Sequence, residues 1–187
     1  PDNALRQIGR FFAWQLPAAL YRLRWSTLAC ALVFVMVACL AAVWIATNPA
    51  ALAAMGSEAE LEKYAKDDFV NYYSEKPDAI FGATVWTNNA WIAAQAVMFG
   101  VTGVWPIYIF IQNAVGLGAS AGVLFAHDAG DVFFLYIAPH GQLELTAIFV
   151  ALAAGLHVFW AWVAPGAKTR AEALARAGRS LATVALG

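Results

Sequence analysis

The feature that most constrains this chain is a long segment without charge. Residues 26–47 contain no Asp, Glu, Lys or Arg, and Trp25 and Trp44 lie near the two ends of the segment. As an α-helix the segment would extend about 33 Å, which matches the hydrocarbon core of a bilayer at about 30 Å. Tryptophan is enriched where a spanning helix meets the membrane interface. The segment is therefore predicted to be the first transmembrane helix.

Composition extends this prediction to the whole chain. Of its 187 residues, 62% are hydrophobic and 12% are charged, whereas a soluble domain has about 25% charged residues. So little charge cannot cover the surface of a soluble globule of this size, which argues against a free cytosolic enzyme and against a disordered tail. The formal net charge is −1, so no basic field exists to hold a phosphate backbone, and no nucleic-acid partner is expected. The predicted fold class is all-α, a polytopic transmembrane helix bundle.

Five segments are predicted along the chain. Within the fourth, the spans are expected at 84–104, 107–126 and 140–163, and Pro17 is expected to bend the first segment. We expect the sequence to be part of a longer protein, because residues 181–187 resemble the opening of a further span. The predicted segments are 1–25, a cytoplasmic or interfacial amphipathic segment; 26–47, transmembrane helix 1; 48–83, an extracytoplasmic acidic loop with a short helix; 84–163, transmembrane helices 2–4; and 164–187, a cytoplasmic amphipathic linker and the start of helix 5.

The segment 48–83 is the one stretch with the composition of a soluble protein. Ser57 followed by Glu60 resembles a helix start, in which the two side chains satisfy free backbone amides. Apolar residues at steps of three and four predict a helix that runs to about Tyr73 with one apolar stripe. This helix is expected to lie on the membrane surface or against the loops. The predicted stripe consists of Leu61, Tyr64, Ala65, Phe69 and Tyr72.

Pro139 lies inside the apolar stretch 132–163. A continuous helix over this stretch would be about 48 Å long, well beyond a hydrocarbon core of about 30 Å. Proline also removes one helical hydrogen bond and collides with the preceding turn. We therefore expect regular helix to be interrupted near Pro139, with 132–138 as a re-entrant or interfacial piece that is not collinear with 142–163.

The basic residues predict the orientation. Eight of the eleven Lys and Arg residues lie before the first predicted span or after the fourth, whereas nine of the twelve acids lie in the loops after the first and third spans. Basic residues are concentrated on the cytoplasmic side of membrane proteins. Both ends of the sequence are therefore expected to be cytoplasmic, with 48–83 outside.

Glu144 is the one acidic residue within a predicted span. A carboxylate in hydrocarbon costs several kcal/mol, so it must be neutral, paired, or directed at water or protein. His140 lies four residues earlier, about one turn away on the same helix face. The alternatives are a hydrogen-bonding anchor for the broken segment and a functional polar site, such as a proton relay or half of a metal site. The predicted polar intramembrane site consists of His140, Glu144, Asn88, Asn89 and Asn113.

The intramembrane amides allow two interpretations. They hold the bundle together by bonds between helices, or they line a substrate path. Elsewhere, His127, Asp128 and Asp131 are expected to form a solvated outer loop, and His157 is expected to make a local hydrogen bond. The sequence contains no His-Glu-x-x-His, no Gly-x-Ser-x-Gly and no phosphate-binding loop. We therefore expect no enzyme activity, no catalytic residue, no cofactor and no metal.

Small residues recur at a spacing typical of closely packed helices. Gly118 and Gly122 are four residues apart, as are Ala151 and Gly155, and such pairs allow backbones to approach. Packing within one chain and a dimer face between copies are the two alternatives. The glycines predicted to serve helix packing are Gly116, Gly118, Gly122, Gly141 and Gly155.

The motif around Glu144 resembles a known family signature. The run from Ile137 to Ile148 contains Pro139-His140-Gly141 followed by Glu144, and Gly155-Leu156 follows further along. This pattern resembles the stage II sporulation protein M family, in which a Pro-His-Gly-x-x-Glu segment opens a helix that carries a Gly-Leu pair. Asn88-Asn89, Asn113 with Gly116 and Gly118, and the linker after Pro165-Gly166 also resemble that family. The resemblance covers roughly residues 20–187.

The resemblance implies a function that composition cannot give. The founding member of the family is understood as a multi-span anchor that assembles peptidoglycan-degrading enzymes at a septum. We therefore expect a scaffold in the bacterial inner membrane that contacts lipids and holds other membrane or extracytoplasmic envelope proteins. The alternative is a transporter or permease component with a polar path at Glu144, His140 and Asn113. An intramembrane hydrolase is the third hypothesis.

Overall fold

A computed structural model of the chain describes residues 3–74 and 78–186, with side chains for all of these except 72–74, 78–82, 85 and 138–140. The described residues form helices joined by short turns, and no strand occurs among them, which confirms the predicted all-α class. The helices in this part of the chain are α1 (Ala4–Arg10), α2 (Leu16–Thr47), α3 (Pro49–Ala53), α4 (Glu58–Lys63), α5 (Phe69–Ser74), α6 (Asp78–Met98), α7 (Val104–Ala126), α8 (Gly130–Val163) and α9 (Arg170–Ala185). Two π-helical turns, Phe11–Gln15 and Tyr64–Asp68, join α1 to α2 and α4 to α5, and a 3₁₀ turn, Gly100–Thr102, precedes α7.

The N-terminal helix is longer than predicted. Helical structure is continuous over Ala4–Thr47, so no break separates an amphipathic segment from the first apolar span at residue 25. Pro17 lies just after the π-helical turn Phe11–Gln15. Such a turn absorbs the hydrogen bond that proline cannot donate, which lets helix continue past it. The helix ends at Thr47, where the predicted segment 26–47 also ends, and Asn48 Oδ1 accepts hydrogen bonds from the backbone N–H groups of Ala50 and Ala51.

Three helices in the described residues are long and apolar enough to cross a membrane: Ala4–Thr47, Val104–Ala126 and Gly141–Val163. They correspond to the first, third and fourth predicted spans. The predicted second span falls on α6, which ends at Met98 rather than at residue 104. The tight connection lies at Gly103, whose φ of +66° suits a residue without a Cβ, and Pro106 follows in the first turn of α7.

The predicted interruption at Pro139 is wrong. Regular helix runs through this residue, and α8 is a single helix from Gly130 to Val163. The prediction assumed that all of 132–163 lies within the hydrocarbon core. Instead the first turns of α8 pack against protein: the ring of Phe133 is buried and stacks on Phe69 with 6.4 Å between centroids.

The chain divides into two compact units. Unit 1 comprises Pro1–Ala31, Ala90–Ile109 and Thr146–Gly187, and unit 2 comprises Leu32–Asn89 and Phe110–Leu145. Within unit 1, α6 and α8 approach at Gly155, where a Cβ would collide with the carbonyl oxygen of Ala96. Gly100 meets the same glycine, because a Cβ on Gly100 would lie 2.8 Å from the Gly155 Cα.

Within unit 2, α2 and α7 approach at two glycines. A Cβ at Gly118 would collide with the carbonyl oxygen of Ala38, and one at Gly122 would lie 2.9 Å from the carbonyl oxygen of Ala42. The sequence correctly indicated that this pair serves packing. Gly116 is also predicted to pack, but no atom of the residues that the structure describes lies within 4 Å of a Cβ built there. Two residues correspond to about 200° of helix rotation, so Gly116 points away from the interface of Gly118.

Gly141 was also predicted to serve helix packing. The nearest atom to a Cβ at this position is Cγ2 of Ile137, at 3.2 Å on the same helix. No other helix among the described residues lies within 4 Å of that point. The assignment of Gly141 to helix packing therefore stays a prediction, because the glycine spacing of a motif does not by itself say which side of the helix meets a neighbour.

Candidate functional site

The polar side chains of unit 2 form two groups. The first is a pair on α6 and α8: Asn89 Nδ2 donates to Glu144 Oε2 at 2.9 Å, and both residues are half-buried. An amide bonded to a carboxylate joins the two helices at a point where an unpartnered acid would be costly. The expectation that an intramembrane amide lies beside Glu144 is met by Asn89.

The other members of the predicted polar site are placed differently. Asn88 is exposed although it neighbours Asn89, and Asn113 is half-buried on α7 in the same unit. His140 lies within α8, but its side chain falls outside the described residues, so its pairing with Glu144 stays a prediction. The choice between an anchor and a functional site at Glu144 is likewise still a prediction.

The second group is a charged helical surface carried by α4 and the following π-helical turn. Ser57 begins it: its N–H and its Oγ both donate to Glu60 Oε2, at 2.9 and 2.6 Å. This reproduces the predicted helix start. We call the exposed charged residues of this segment the acidic surface, which consists of Glu58, Glu60, Glu62, Lys63, Lys66, Asp67 and Asp68.

Buried apolar side chains of the same segment attach the acidic surface to the rest of unit 2. Leu61, Ala65 and Phe69 are all buried, as the apolar stripe predicted. Leu61 joins a cluster with Ile45, and Phe69 joins another with Leu124. Tyr64 is half-buried, and its hydroxyl donates to Ser120 Oγ at 3.1 Å. Tyr72, the last predicted member of the stripe, has a side chain outside the described residues.

The charges of the acidic surface are partly paired with one another. Lys63 Nζ lies 3.2 Å from Asp68, and Lys66 donates to Glu62. The Ser57 hydroxyl lowers the pKa of Glu60, and Lys66 lowers the pKa of Glu62. Five carboxylates against two lysines leave the surface with an excess of negative charge. Exposed pairs of this kind stabilise a fold little, so their main consequence is a field directed outward.

One residue of this region was misjudged from sequence. His127 was expected in a solvated loop, yet its side chain is 9% exposed. Its Nδ1–H donates to the carbonyl of Val123 at 2.9 Å, and Nε2 lies 3.5 Å from Glu58 Oε1. The position of His127, directly after an apolar helix and four residues beyond Val123, could have indicated that its side chain bonds to that helix. The prediction followed the polarity of the neighbouring Asp128 instead.

In unit 1, His157 is exposed and its Nε2 lies 3.2 Å from Ser26 Oγ, so its partner is a residue of α2 rather than the local one expected. No three His, Cys, Asp or Glu side chains come together as a metal site would require, within the part of the chain that the structure describes. The candidate site residues are therefore the Asn89–Glu144 pair and the acidic surface.

Comparison with known proteins adds a family. The family model described as Stage II sporulation protein M matches residues 30–187. No curated protein and no solved structure matches the chain. The match covers most of the chain, including α7, the Pro-His-Gly-x-x-Glu run and α9. Together with three helices long and apolar enough to span a bilayer, it indicates a membrane protein. The chain belongs to the stage II sporulation protein M family.

Proposed function

We propose that this protein is a non-catalytic scaffold of the bacterial inner membrane that holds peptidoglycan-remodelling partners. Family membership supports the proposal, since the founding member of the family is understood as such an anchor. The observation that carries it is the acidic surface, a set of exposed charges on a segment that buried apolar side chains hold in place. A surface of this kind suits docking because its partner need not order a flexible loop on binding.

The proposed topology is multi-pass, with the N-terminus in the cytoplasm and the acidic surface outside. The asymmetry of basic and acidic residues supports it. A test starts from a variant in which Cys30 and Cys39 are replaced by Ala. We expect a cysteine placed at Ala59 to react with an impermeant reagent in intact cells, and one at Ala167 to stay unlabelled. Labelling of Ala167→Cys from outside would overturn the orientation.

The partner is proposed to present a basic face to the acidic surface. Neutralising Glu62, Asp67 and Asp68 with Gln or Asn removes three carboxylates but leaves the cap at Ser57 and the buried stripe intact. Complementary charge mainly sets the association rate and the choice of partner. We expect a peptidoglycan-cleaving activity to copurify with the wild-type chain in mild detergent, as measured on gels with embedded peptidoglycan. We expect the triple variant to lose this activity.

The matched control neutralises the opposite charge on the same surface. Lys63→Gln with Lys66→Gln alters the same helix face and removes the same ion pairs, yet makes the surface more acidic. We expect this variant to retain the copurifying activity. Equal loss in both variants, or full retention in the triple variant, would contradict docking through the acidic surface.

A polar transport path is the second candidate function, and the Asn89–Glu144 pair favours it. A half-buried carboxylate in a helix of spanning length is typical of proton and ion pathways. The anchor and path hypotheses differ in what Glu144→Gln does. For an anchor, Gln still accepts the Asn89 bond, so assembly and function should persist. For a path, Gln cannot carry charge, so function should vanish while assembly stays normal.

Two alanine variants calibrate that comparison. Glu144→Ala and Asn89→Ala each remove the hydrogen bond between α6 and α8, which should destabilise the fold by about 1–3 kcal/mol. Asn88→Ala, one residue away and exposed, should change stability little. The scaffold proposal would be abandoned if Glu144→Gln assembled with all partners and yet lost all activity.

A further inference from the structure

Unit 1 contains a cavity of about 520 Å³ whose charged wall is uniformly basic. Its wall combines residues of α2, the end of α8, the turn after α8, and α9. Four of the lining residues are cationic: Arg22, Lys168, Arg176 and Arg179. No Asp or Glu lines the cavity among the described residues. A volume of this size falls within the range of small-ligand sites, about 300–1,000 Å³.

All four cations have exposed side chains, and Lys168 has an acidic neighbour in Glu172, whose pKa is lowered by hydrogen bonds from Thr169 and also by Lys168. Within the described ranges, none of them forms a salt bridge. The acid nearest in sequence, Glu172, is turned to its own helix start, where it accepts from the N–H and Oγ1 of Thr169. Four positive charges around one cavity repel one another, and an anion between them relieves that repulsion. The cavity is therefore suited to a ligand of opposite charge.

The types of residue that line the cavity indicate the chemical class of that ligand. Arginine binds phosphate oxygens through a planar fork of donors, and three of the four cations are arginines. The hydroxyl of Ser180 and the ring of His157 add further donors at the wall. Leu23 and Trp160 provide an apolar side. A phosphate group attached to an apolar body satisfies both parts of the wall.

We propose that this cavity binds the phosphate of an anionic phospholipid. The cavity joins the basic residues to α2 and α8, two helices that contain stretches long and apolar enough to cross a bilayer. Arg22 lies four residues before the uncharged run that starts at residue 26, at the depth where headgroups meet a spanning helix. Basic pockets between helices on the cytoplasmic side of membranes hold anionic headgroups. The same phosphate chemistry is also present in free inorganic phosphate.

Topology alone would also place basic residues near a helix end, so the test must separate a cavity from a mere excess of charge. The variant R22Q/R176Q/R179Q removes three charges that line the cavity. The control R6Q/R10Q/R24Q removes three charges from the same unit that do not line it. Arg24 is a close match for Arg22, because it lies two residues further along α2. Its guanidinium lies 3.8 Å from the centroid of the Tyr21 ring and donates to the carbonyl of Tyr21.

The chain in detergent micelles is titrated with short-chain phosphatidylglycerol, short-chain phosphatidylcholine or inorganic phosphate, and bound molecules are counted by native mass spectrometry. We expect phosphatidylglycerol to bind in preference to phosphatidylcholine. Each basic residue near an anionic headgroup contributes about fivefold in affinity, so the cavity variant should bind at least tenfold more weakly. The control variant should bind within about twofold of wild type, because none of its three charges lines the cavity.

The outcomes separate the sources of phosphate. Binding of phosphatidylglycerol that millimolar inorganic phosphate does not displace supports the lipid. Binding of inorganic phosphate that the cavity variant abolishes assigns the pocket to free phosphate and overturns the lipid. Equal binding of both lipids, or equal loss in both triple variants, overturns the site. If the cavity variant does not fold, the single pair R22Q and R24Q gives the same comparison with one charge each.

Discussion

The helices α4 in unit 2 and α9 in unit 1 have the same type of N-terminal cap, but they differ in the side chains that are buried after it. At α4 the N–H and Oγ of Ser57 donate to Glu60, and at α9 the same groups of Thr169 donate to Glu172. Beyond the cap the two diverge. The segment that starts with α4 buries Leu61, Ala65 and Phe69, whereas α9 buries Ala173 alone among its described residues.

The difference separates two physical roles in a helix. A cap determines where a helix begins and stabilises it by about 1 kcal/mol. Burial of a leucine or phenylalanine contributes roughly 1.5–3 kcal/mol and determines what the helix packs against. Because the segment that begins with α4 has both, it presents its charges on a fixed base. Because α9 has the cap and little burial, it leaves room for a basic cavity at its side.

The largest expected effect concerns the burial of Phe69. Its ring packs against Tyr64, Phe133 and Tyr136. Phe69→Ala should destabilise the docked segment by about 3–5 kcal/mol, the range for a phenylalanine removed from a core. Hydrogen exchange of amides 58–74 would measure the loss of protection. Phe134→Ala is the control, since that ring is 60% exposed, and it should leave the same amides protected.

The next effect concerns the base on which the acidic surface rests. Gly118→Ala places a methyl group against the carbonyl oxygen of Ala38, and overpacking of this kind destabilises by about 1–3 kcal/mol. Gly116→Ala adds the same methyl to the same helix in open space, and should stabilise slightly because alanine favours helix. Thermal unfolding in detergent would compare the two variants. Equal melting temperatures would mean that α2 and α7 do not meet as described.

A smaller effect concerns the hydrogen bond from the Tyr64 hydroxyl to Ser120 Oγ, which joins the segment that carries the acidic surface to α7. Tyr64→Phe removes the donor and keeps the ring in place, which should cost about 1 kcal/mol. Ser120→Ala removes the acceptor. A double-mutant cycle with both changes should show that the two losses are not additive. Full additivity would mean that the two hydroxyls act independently.

Sequence periodicity predicted most of what holds the acidic surface. Leu61, Ala65 and Phe69 recur at the helical step, so their common face follows from local geometry alone. The partners of that face, such as Leu124, come from distant parts of the chain, and no local pattern identifies them. The same limit explains Gly118 and Gly116: composition shows two glycines, but which one meets Ala38 depends on how α2 and α7 are rotated.

The errors have one physical origin as well. The prediction of a break at Pro139 treated all of 132–163 as embedded in lipid, but Phe133 at the start of α8 is buried against Phe69. Likewise His127 was judged by the polarity of its loop, although its side chain is largely buried and its Nδ1–H donates to the carbonyl of Val123. In both cases a distant or preceding segment supplies the environment, and hydropathy along the chain cannot report it.

The smallest expected effect is the loss of stability in acid at the N-terminal caps of α4 and α9. Hydrogen bonds from Ser57 lower the pKa of Glu60, and those from Thr169 lower the pKa of Glu172. A carboxylate with a lowered pKa in the folded state stabilises fully above its ordinary value of about 4.3, and the contribution is lost as pH falls through the lowered pKa. Both helix starts should therefore be fully protected at neutral pH and should weaken in acid.

The two helices should respond to this loss by different amounts. Hydrogen exchange measured from neutral to acidic pH should show the first turn of α9 fraying, because little besides Ala173 anchors it. The first turn of α4 should stay protected, because Leu61 remains buried when Glu60 is protonated. Glu172→Gln should remove the pH dependence at α9, since Gln caps without a charge. Equal fraying of the two helices would show that the cap, rather than burial, holds the acidic surface in place.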